Sequence, residues 1–583
     1  MLDIAHPFVL LDDARPGSIG ARLFTRPVDE IRADTPEAVA AALQRLRDAT
    51  RSGLHAAGAI AFETGYAIEP RFAGRARDSE PLLWFGLFET ALRISGDELT
   101  ALLPAPSAAW VSEPRPLIGQ AEYRAAFDKV QAYIAAGDIY QANLTFPAEI
   151  AFSGSPLALY AMLRARAGAG WGGIVHDGAR WLLSFSPELF FTLEGGRFTA
   201  RPMKGTATRH ADPAADRAAI ERLQGDPKQR AENLMIVDLL RNDLARVAIA
   251  GSVAVPDLFT VETYPTIHQM TSTVTARLID GLDAIDALGA TFPCGSITGA
   301  PKIRAMEIID EVESESRGAY TGSIGCIDPN GDAAFNVAIR TISVLKDQQK
   351  GRLGLGSGIV ADSKPNDEWL ECLAKGSFIA MSSRPFDLIE TMRFDPMEGF
   401  IDLDRHLARM KASATALGFT FNRHDCRNDL QAASFRLRED ARVRLLLARS
   451  GAISIEVQPM PEPVQAPVDV KLLPLPVPPQ DFRLLHKTSD RAFYDETRAA
   501  AGTFEVIFAD DGGLITEGSF TNVFVERGGM LVTPRSGRLM PGILRQRLLE
   551  EGQAIEGDLR AGDLGDGFLI GNALRGLIQA RLV

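Results

Sequence analysis

The sequence predicts a mixed α/β (α+β) protein built in two parts, and three observations carry that reading. The chain has 583 residues, more than one compact core accommodates. Short apolar runs alternate with helical periods as far as about residue 381. Near Ser382 to Pro385 the chain turns polar, and a new pattern starts at Phe386-Asp-Leu-Ile-Glu-Thr. The boundary is therefore set at 384/385. The first domain covers 1–384, with an N-terminal region over 1–115 and a core over 116–384, and the second domain covers 385–583.

Taken in order, Phe8 to Leu11, Ala57 to Phe62 and Leu82 to Leu87 read as strands, and Pro36 to Thr50 as a helix. Four prolines make Pro104 to Pro116 a connector. From Glu122, the residues Tyr123, Phe127, Val130 and Ile134 recur at helical spacing, and Gly137-Asp138 ends the run. Ala231 to Arg246 reads as a second helix that mixes charged with apolar residues, and 402–417 as an amphipathic one. A proline-rich connector from Pro459 to Pro479 divides the later region into two lobes, and no strand is evident ahead of Glu390.

With 75 acidic and 62 basic residues the formal charge is -13, a balance that disfavours nucleic acid and anionic membranes as partners. Four scattered cysteines suit neither a disulfide framework nor a zinc cluster. The N-terminus MLDIAHPFVLLDD lacks the basic and apolar regions of a signal peptide, and no run of 18 apolar residues occurs. The expectation is a cytoplasmic protein.

The first domain carries an ordered set of segments: SPELF (186–190), RPMKGT (201–206), Ala231-Glu232-Asn233, Ile267-His268-Gln269-Met270, FPCGSITGAPK (292–302), Arg317-Gly-Ala-Tyr320-Thr-Gly, Ala338-Ile339-Arg340-Thr341, Gly356-Ser357-Gly358, and Asp367-Glu368-Trp369-Leu370-Glu371 with Lys375. Glu368, Glu371 and Lys375 share one helix face by their spacing. Together these segments resemble the chorismate-utilising enzymes, closely over 115–381. That resemblance implies a β-sandwich core flanked by helices, and chorismate as substrate.

It also implies roles. Arg340, Tyr320 and the Gly356-Ser357-Gly358 turn match positions that bind the substrate's carboxylates, with Lys375 nearby. Glu232 and Glu371, with Glu368 beside them, match the positions that bind magnesium, a hard cation that takes oxygen ligands. Glu188 matches the general acid for the departing ring hydroxyl, and a raised pKa would keep it protonated. His268 is similar to the histidine near that hydroxyl. Gln141 stands where isochorismate and salicylate synthases have a water-activating lysine, so those reactions are disfavoured. Lys204 resembles the aminodeoxychorismate synthase signature, in which the amine attacks C2 and must be neutral to do so. No cysteine sits in a glutaminase context, which implies a glutamine amidotransferase partner or free ammonia. Leu10-Leu11-Asp12-Asp13 is similar to a segment that binds a regulatory amino acid in related enzymes, and equally to an ordinary strand end.

The second domain contains Glu390-Thr391, His406-Leu-Ala-Arg409, His486-Lys487-Thr488-Ser489-Asp490-Arg491, Thr516-Glu517-Gly-Ser519-Phe-Thr521-Asn522 and Pro541-Gly542-Ile543-Leu544-Arg545. In this order they resemble the fold-type IV pyridoxal 5'-phosphate enzymes, aminodeoxychorismate lyase and several aminotransferases among them. The resemblance implies that Lys487 bonds the cofactor aldehyde, that Glu517 faces the pyridine nitrogen and that Arg409 meets the phosphate. The N–H groups of Ile543 and Leu544 at a helix start would join Arg409, and Asn522 and Asn572 are weaker candidates. The fusion points to a bifunctional enzyme making 4-aminobenzoate for folate. An aminotransferase lobe and a non-catalytic docking or dimerisation lobe stay open as alternatives. So does the assembly state, a homodimer being one option.

Overall fold

The computed structural model describes residues 4–15, 17–18, 20–72, 81–210, 212–263, 267–380, 385–479, 481–537, 539–565 and 567–583. The residues 381–384, on which the sequence boundary falls, lie outside the described set. Contacts divide the chain into two units, and the division does not follow the sequence in one cut. One unit comprises Met1–Pro104, Glu113–Ile150 and Tyr160–Met381; the other comprises Ala105–Ser112, Ala151–Leu159 and Ser382–Val583.

The first unit is built on two antiparallel sheets. One runs in the order Gln141–Ser153, Lys350–Ile359, Thr341–Leu345, Arg180–Ser184, Gly172–His176, Phe8–Asp12 and Ala21–Thr25. The other runs Met203–Thr208, Ile267–Arg277, Arg197–Arg201, Leu189–Glu194, Ala333–Asn336, Ser323–Ile327, His55–Ile60, Leu83–Phe88 and Asp29–Ala33. Val9, Phe24, Val175 and Leu182 of the first sheet share a buried cluster with Ala57, Trp84, Phe88 and Ile324 of the second. The two sheets therefore form a sandwich. Helices cover the outer face of the second sheet: Val39 and Leu46, Ile236 and Leu240, and Met306 and Ile309 pack against Phe191, Phe198 and Phe335.

The helix predicted over Ala231 to Arg246 spans Pro227–Leu244. It starts a turn earlier because the Asp226 carboxylate accepts from the Lys228 and Gln229 N–H groups and Pro227 fills the first turn. The helix with Tyr123 and Phe127 on its buried face spans Gln120–Ala135.

In the second unit, strands Leu388–Asp395, Ala441–Leu447 and Ile453–Pro459 pair antiparallel. Helices Leu403–Leu417 and Arg423–Ser434 supply Leu407, Met410, Leu417 and Leu430 to their buried face. Glu390 thus lies inside a strand of which the sequence showed no sign. The remaining strands form an eight-stranded sheet around Val468–Pro474, which pairs in parallel with Glu505–Ala509 and Gly576–Leu582. That central strand falls inside the stretch read as a connector. Flanking prolines masked it, but Val468 and Val470 alternate into the core as a half-buried strand requires.

Candidate functional site

In the first unit, strands of both sheets and two helices bring part of the candidate set together. Lys204 lies on Met203–Thr208, and its side chain stays 17% exposed with Nζ 3.8 Å from Glu232 Oε2. Burial holds the Lys204 amine below its ordinary pKa; Glu232 opposes this and the Lys375 charge adds to it. A side chain at Gly358 would collide with this arrangement, since a Cβ there would lie 2.8 Å from Lys204 Nζ and 2.9 Å from Gln141 Nε2. Gln141 is fully buried, and neither its amide nitrogen nor its oxygen has a partner. These are groups of the kind a polar ligand satisfies.

Glu188 follows the strand Arg180–Ser184 and is buried. Burial pushes its carboxyl up to about 7, against hydrogen bonds from Ser296 Oγ at 2.7 Å and the Met203 N–H. A carboxyl in that range can give up a proton near neutrality. On the helix Pro365–Ala380, Lys375 Nζ is 2.8 Å from Glu371 and donates to the Gly356 carbonyl at 3.0 Å. The pair thus docks on the strand that carries Gly356, Ser357 and Gly358. Glu368 on the same helix accepts from Ser363 Oγ at 2.7 Å.

Arg340 adopts the left-handed backbone conformation (φ 50°), and its guanidinium lies 5.9 Å from the Phe378 ring centre. Tyr320 has its ring against Gly354, on the same strand as Gly356, Ser357 and Gly358, which are extended and not the turn the sequence suggested. His268 is fully buried on Ile267–Arg277, with Nε2 2.9 Å from Asp216 and Nδ1 3.0 Å from Thr263. Both of its ring nitrogens are engaged within the fold. Asp12, at the end of its strand, is held by the Arg164 fork at 2.6 and 3.0 Å and by the Tyr160 hydroxyl at 2.7 Å.

Among the described residues no three histidine, cysteine or acidic side chains gather closely enough to enclose a metal ion. Magnesium needs less, because it keeps several waters and binds through one or two carboxylates. The donor set suits it. Burial raises the Glu232 carboxyl, Lys204 and Lys228 lower it, and the nearby Asp362 and Glu368 carboxylates raise it further. A divalent cation would relieve that repulsion.

The second unit holds a cavity of about 470 Å³ lined by Lys487, Arg409, Glu517, Asn522 and Ile543, among others. Lys487 is tied to the strand of Glu390: its carbonyl accepts from the Ile389 N–H at 2.8 Å, and Thr488 bridges to Leu388. Burial brings its amine down to about 7, helped by the Arg409 charge and opposed by Glu390. Glu517 is buried and pushed up to about 7; it accepts from the Tyr494 hydroxyl at 2.6 Å and the Met540 N–H at 3.0 Å. Arg409 grips Glu390 through Nε at 2.8 Å and Nη2 at 2.6 Å. Glu390 also meets His406 Nδ1 at 2.6 Å, and the Arg409 charge together with that hydrogen bond holds its carboxyl down at about 2 despite burial.

Gly542 caps the helix Ile543–Glu550, and a Cβ there would lie 1.8 Å from Asn522 Oδ1, so glycine alone permits this approach. Asn572, expected in a loop, ends the strand Phe568–Asn572, and its amide is satisfied, accepting from the Leu574 and Arg575 N–H groups at 3.0 and 2.9 Å. A buried amine, a buried carboxylate and a helix start around one cavity fit pyridoxal phosphate, and His406 Nε2 is a buried orphan on the same wall. Ser296, Asp216, Glu390 and Tyr494 escaped the sequence reading as partners of these groups. Tyr494 had a signal: it lies seven residues after Lys487, facing the cavity from the next helix.

Residues 6–381 match the family described as chorismate binding enzyme, and residues 387–583 match amino-transferase class IV. The second match implies pyridoxal phosphate as cofactor. The chain is 45% identical over 271 residues to aminodeoxychorismate synthase component 1 of Salmonella typhimurium, covering 46% of this chain and 58% of that protein. It is 43% identical over 254 residues to the protein of that name in Escherichia coli, covering 44% and 56%. The chain thus spans somewhat over half the length of these relatives. Among solved structures, anthranilate synthase component I of Streptococcus pneumoniae aligns with a TM-score of 0.52 at 25% identity, over 65% of this chain and 93% of that one. No helix among the described residues is long and apolar enough to cross a membrane.

Proposed function

Since this chain belongs to the chorismate-binding enzymes, we propose that it makes 4-aminobenzoate from chorismate and ammonia in two steps, one in each unit. The observation that carries the proposal is Lys204, a lysine whose burial favours the neutral amine, beside Gly358 and the unpartnered amide of Gln141. In the first step Lys204 Nζ attacks ring C2, both conjugated ring double bonds shift (to C1=C6 and C4=C5), and the C4 hydroxyl leaves as water with a proton from Glu188. Ammonia then attacks C4, both double bonds shift back to C1=C2 and C5=C6, and Lys204 is expelled from C2. Arg340, Tyr320 and the Gly356-Ser357-Gly358 strand would bind the carboxylates, with Lys375 fixing that strand. Glu232 and Glu371 would hold magnesium, which would neutralise carboxylate charge on the substrate. His268, locked between Asp216 and Thr263, would act by shaping the wall.

In the second step bound pyridoxal phosphate supplies an electron sink for the carbon bearing the amine. Lys487 Nζ would then remove the C4 proton while the C–O bond of the enolpyruvyl ether breaks, releasing pyruvate and an aromatic ring. Glu517 would hold a proton at the pyridine nitrogen, and Arg409 with the N–H groups of Ile543 and Leu544 would position the phosphate. The "component 1" names of the relatives support a glutaminase partner as the ammonia source. The test is direct: the purified chain, given chorismate, ammonium, magnesium and pyridoxal phosphate, should produce 4-aminobenzoate and pyruvate in equal amounts. Accumulation of anthranilate, or consumption of chorismate without pyruvate, would overturn the reading.

A further inference from the structure

Charge is distributed unevenly in this protein. The whole chain carries a formal charge of -13, yet among the described residues the cavity around Lys487 is lined by six arginines and one lysine against Asp495 and Glu517. Three of the arginines are compensated. Arg409 is matched to Glu390, Arg498 lies 3.7 Å from Asp495, and Arg444 lies 3.9 Å from Glu456.

Among the described residues the other three form no ion pair and donate hydrogen bonds to neutral oxygens, although the Arg491 charge also acts on Glu517. Arg442 donates to Gln458 Oε1 at 2.7 Å, Arg491 to the Ser519 carbonyl, and Arg575 to the Glu462 carbonyl at 3.1 Å. They come from separate places: the strand Ala441–Leu447, the residue before the helix Ala492–Ala501, and the turn between strands Phe568–Asn572 and Gly576–Leu582. All three are half-buried. Guanidinium groups that converge on one cavity with no carboxylate in their forks are poised for anions, because their planar donor forks match a carboxylate.

We propose that Arg442, Arg491 and Arg575 make the second unit's cavity selective for a substrate amine that carries two carboxylates, over ordinary amino acids that carry one. The inference rests on the reading of this cavity as a pyridoxal phosphate lyase site. On that reading the cofactor phosphate is served by Arg409 and the start of the helix Ile543–Glu550, so the three remaining cations are left for the substrate. An ordinary α-amino acid brings a single carboxylate, whereas the amine formed by the first step has one on the ring and one on the enolpyruvyl arm. Breaking the ether bond divides those charges between two products, each then held by fewer arginines. The Arg491 charge is also among those that hold Lys487 low.

The experiment uses the full chain loaded with pyridoxal phosphate and two unreactive probes. 3-(Carboxymethoxy)benzoate carries two carboxylates; 3-methoxybenzoate carries one. Binding is read from the cofactor's visible absorbance, so that occupancy of the first unit is silent. The dicarboxylate should bind more tightly and lose affinity more steeply with salt. Arg442→Gln, Arg491→Gln and Arg575→Gln should each weaken it by about tenfold or more, as expected for loss of a charge-assisted hydrogen bond. The monocarboxylate should change by less than about threefold. Equal binding of the two probes by the loaded wild-type chain, or variants that weaken neither, would overturn this inference and leave the lyase reading standing. A chain that takes up no cofactor at all would instead overturn the lyase reading.

Discussion

Replacing Ser296 with alanine removes the hydroxyl that donates to Glu188 Oε1 at 2.7 Å. The bond favours the carboxylate, and it opposes the burial that pushes this group up to about 7. A hydrogen bond to a charged group contributes about 1.5–3 kcal/mol, and about 1.36 kcal/mol corresponds to one pKa unit. Its loss should therefore raise the Glu188 pKa by about one to two units. Cys294 Sγ, 3.3 Å from the hydroxyl and itself pushed up to about 12 by burial, offers no equal donor. A general acid works while protonated, so the alkaline limb of kcat/KM for chorismate should move to higher pH by that amount. The assay follows chorismate consumption across pH with free ammonia held constant, so that ammonia's own ionisation does not intrude. Ser296→Thr, which keeps a hydroxyl, should leave the limb in place. An alkaline limb that stays put or moves down in Ser296→Ala would refute the assignment of Glu188 as the acid and of Ser296 as the residue that positions it.

Other substitutions separate the two chemistries. Lys204→Ala should lose most amination at C4 while still binding chorismate, and direct attack by ammonia at C2 should yield some anthranilate, measurable by its fluorescence. Lys487→Ala should stop pyruvate release but not chorismate consumption, so that the amine intermediate accumulates and an added lyase converts it. Glu371→Gln should raise the magnesium concentration needed for half-maximal synthase activity and leave conversion of the isolated intermediate unchanged. Glu390 is held at about 2 in the fold, against an ordinary value of about 4.3. Its contribution to stability is full above the ordinary value and is lost as pH falls toward 2. Urea unfolding of the second unit should show that acid-dependent loss in the wild type but not in Glu390→Gln, which should already be destabilised by about 3–5 kcal/mol through its stranded Arg409.

The groups that react were legible because their types and order are distinctive: a lysine in PMKGT, a glutamate in SPELF, a lysine in HKTSD. What sets their protonation was not. Glu188 takes its hydrogen bond from a serine 108 residues away, and no local pattern announces that pairing. Helices were read well where one face repeats, as at Tyr123 and Phe127. They were read less well where charged residues interrupt the period, as in Pro227–Leu244, whose start is marked by Asp226-Pro227 rather than by apolar spacing. The strand Val468–Pro474 was missed because proline is usually excluded from sheet interiors. Here the prolines stand at its ends, and the valines between them do the pairing. The sandwich of the first unit, by contrast, came from resemblance and not from periodicity, since strands such as HAAGAI and FVLLD are buried along nearly their whole length and alternate only weakly.

The composite make-up of the second unit has a consequence for how such a chain can arise and fold. Trp110, supplied by the segment Ala105–Ser112, lies against Phe386 and Phe482, with ring centres 5.9 and 6.0 Å apart, and under the Arg449 guanidinium at 4.9 Å. During synthesis that indole emerges 276 residues before Phe386 and 372 before Phe482, so its burial must wait for the intervening chain. A gene fragment that starts at Phe386 encodes every reactive group of the cavity yet omits this keystone, and removing a buried tryptophan costs about 3–5 kcal/mol. The two catalytic programmes are divisible on paper at one point in the sequence, but the polypeptide is laced across that point and folds as a fabric with shared threads.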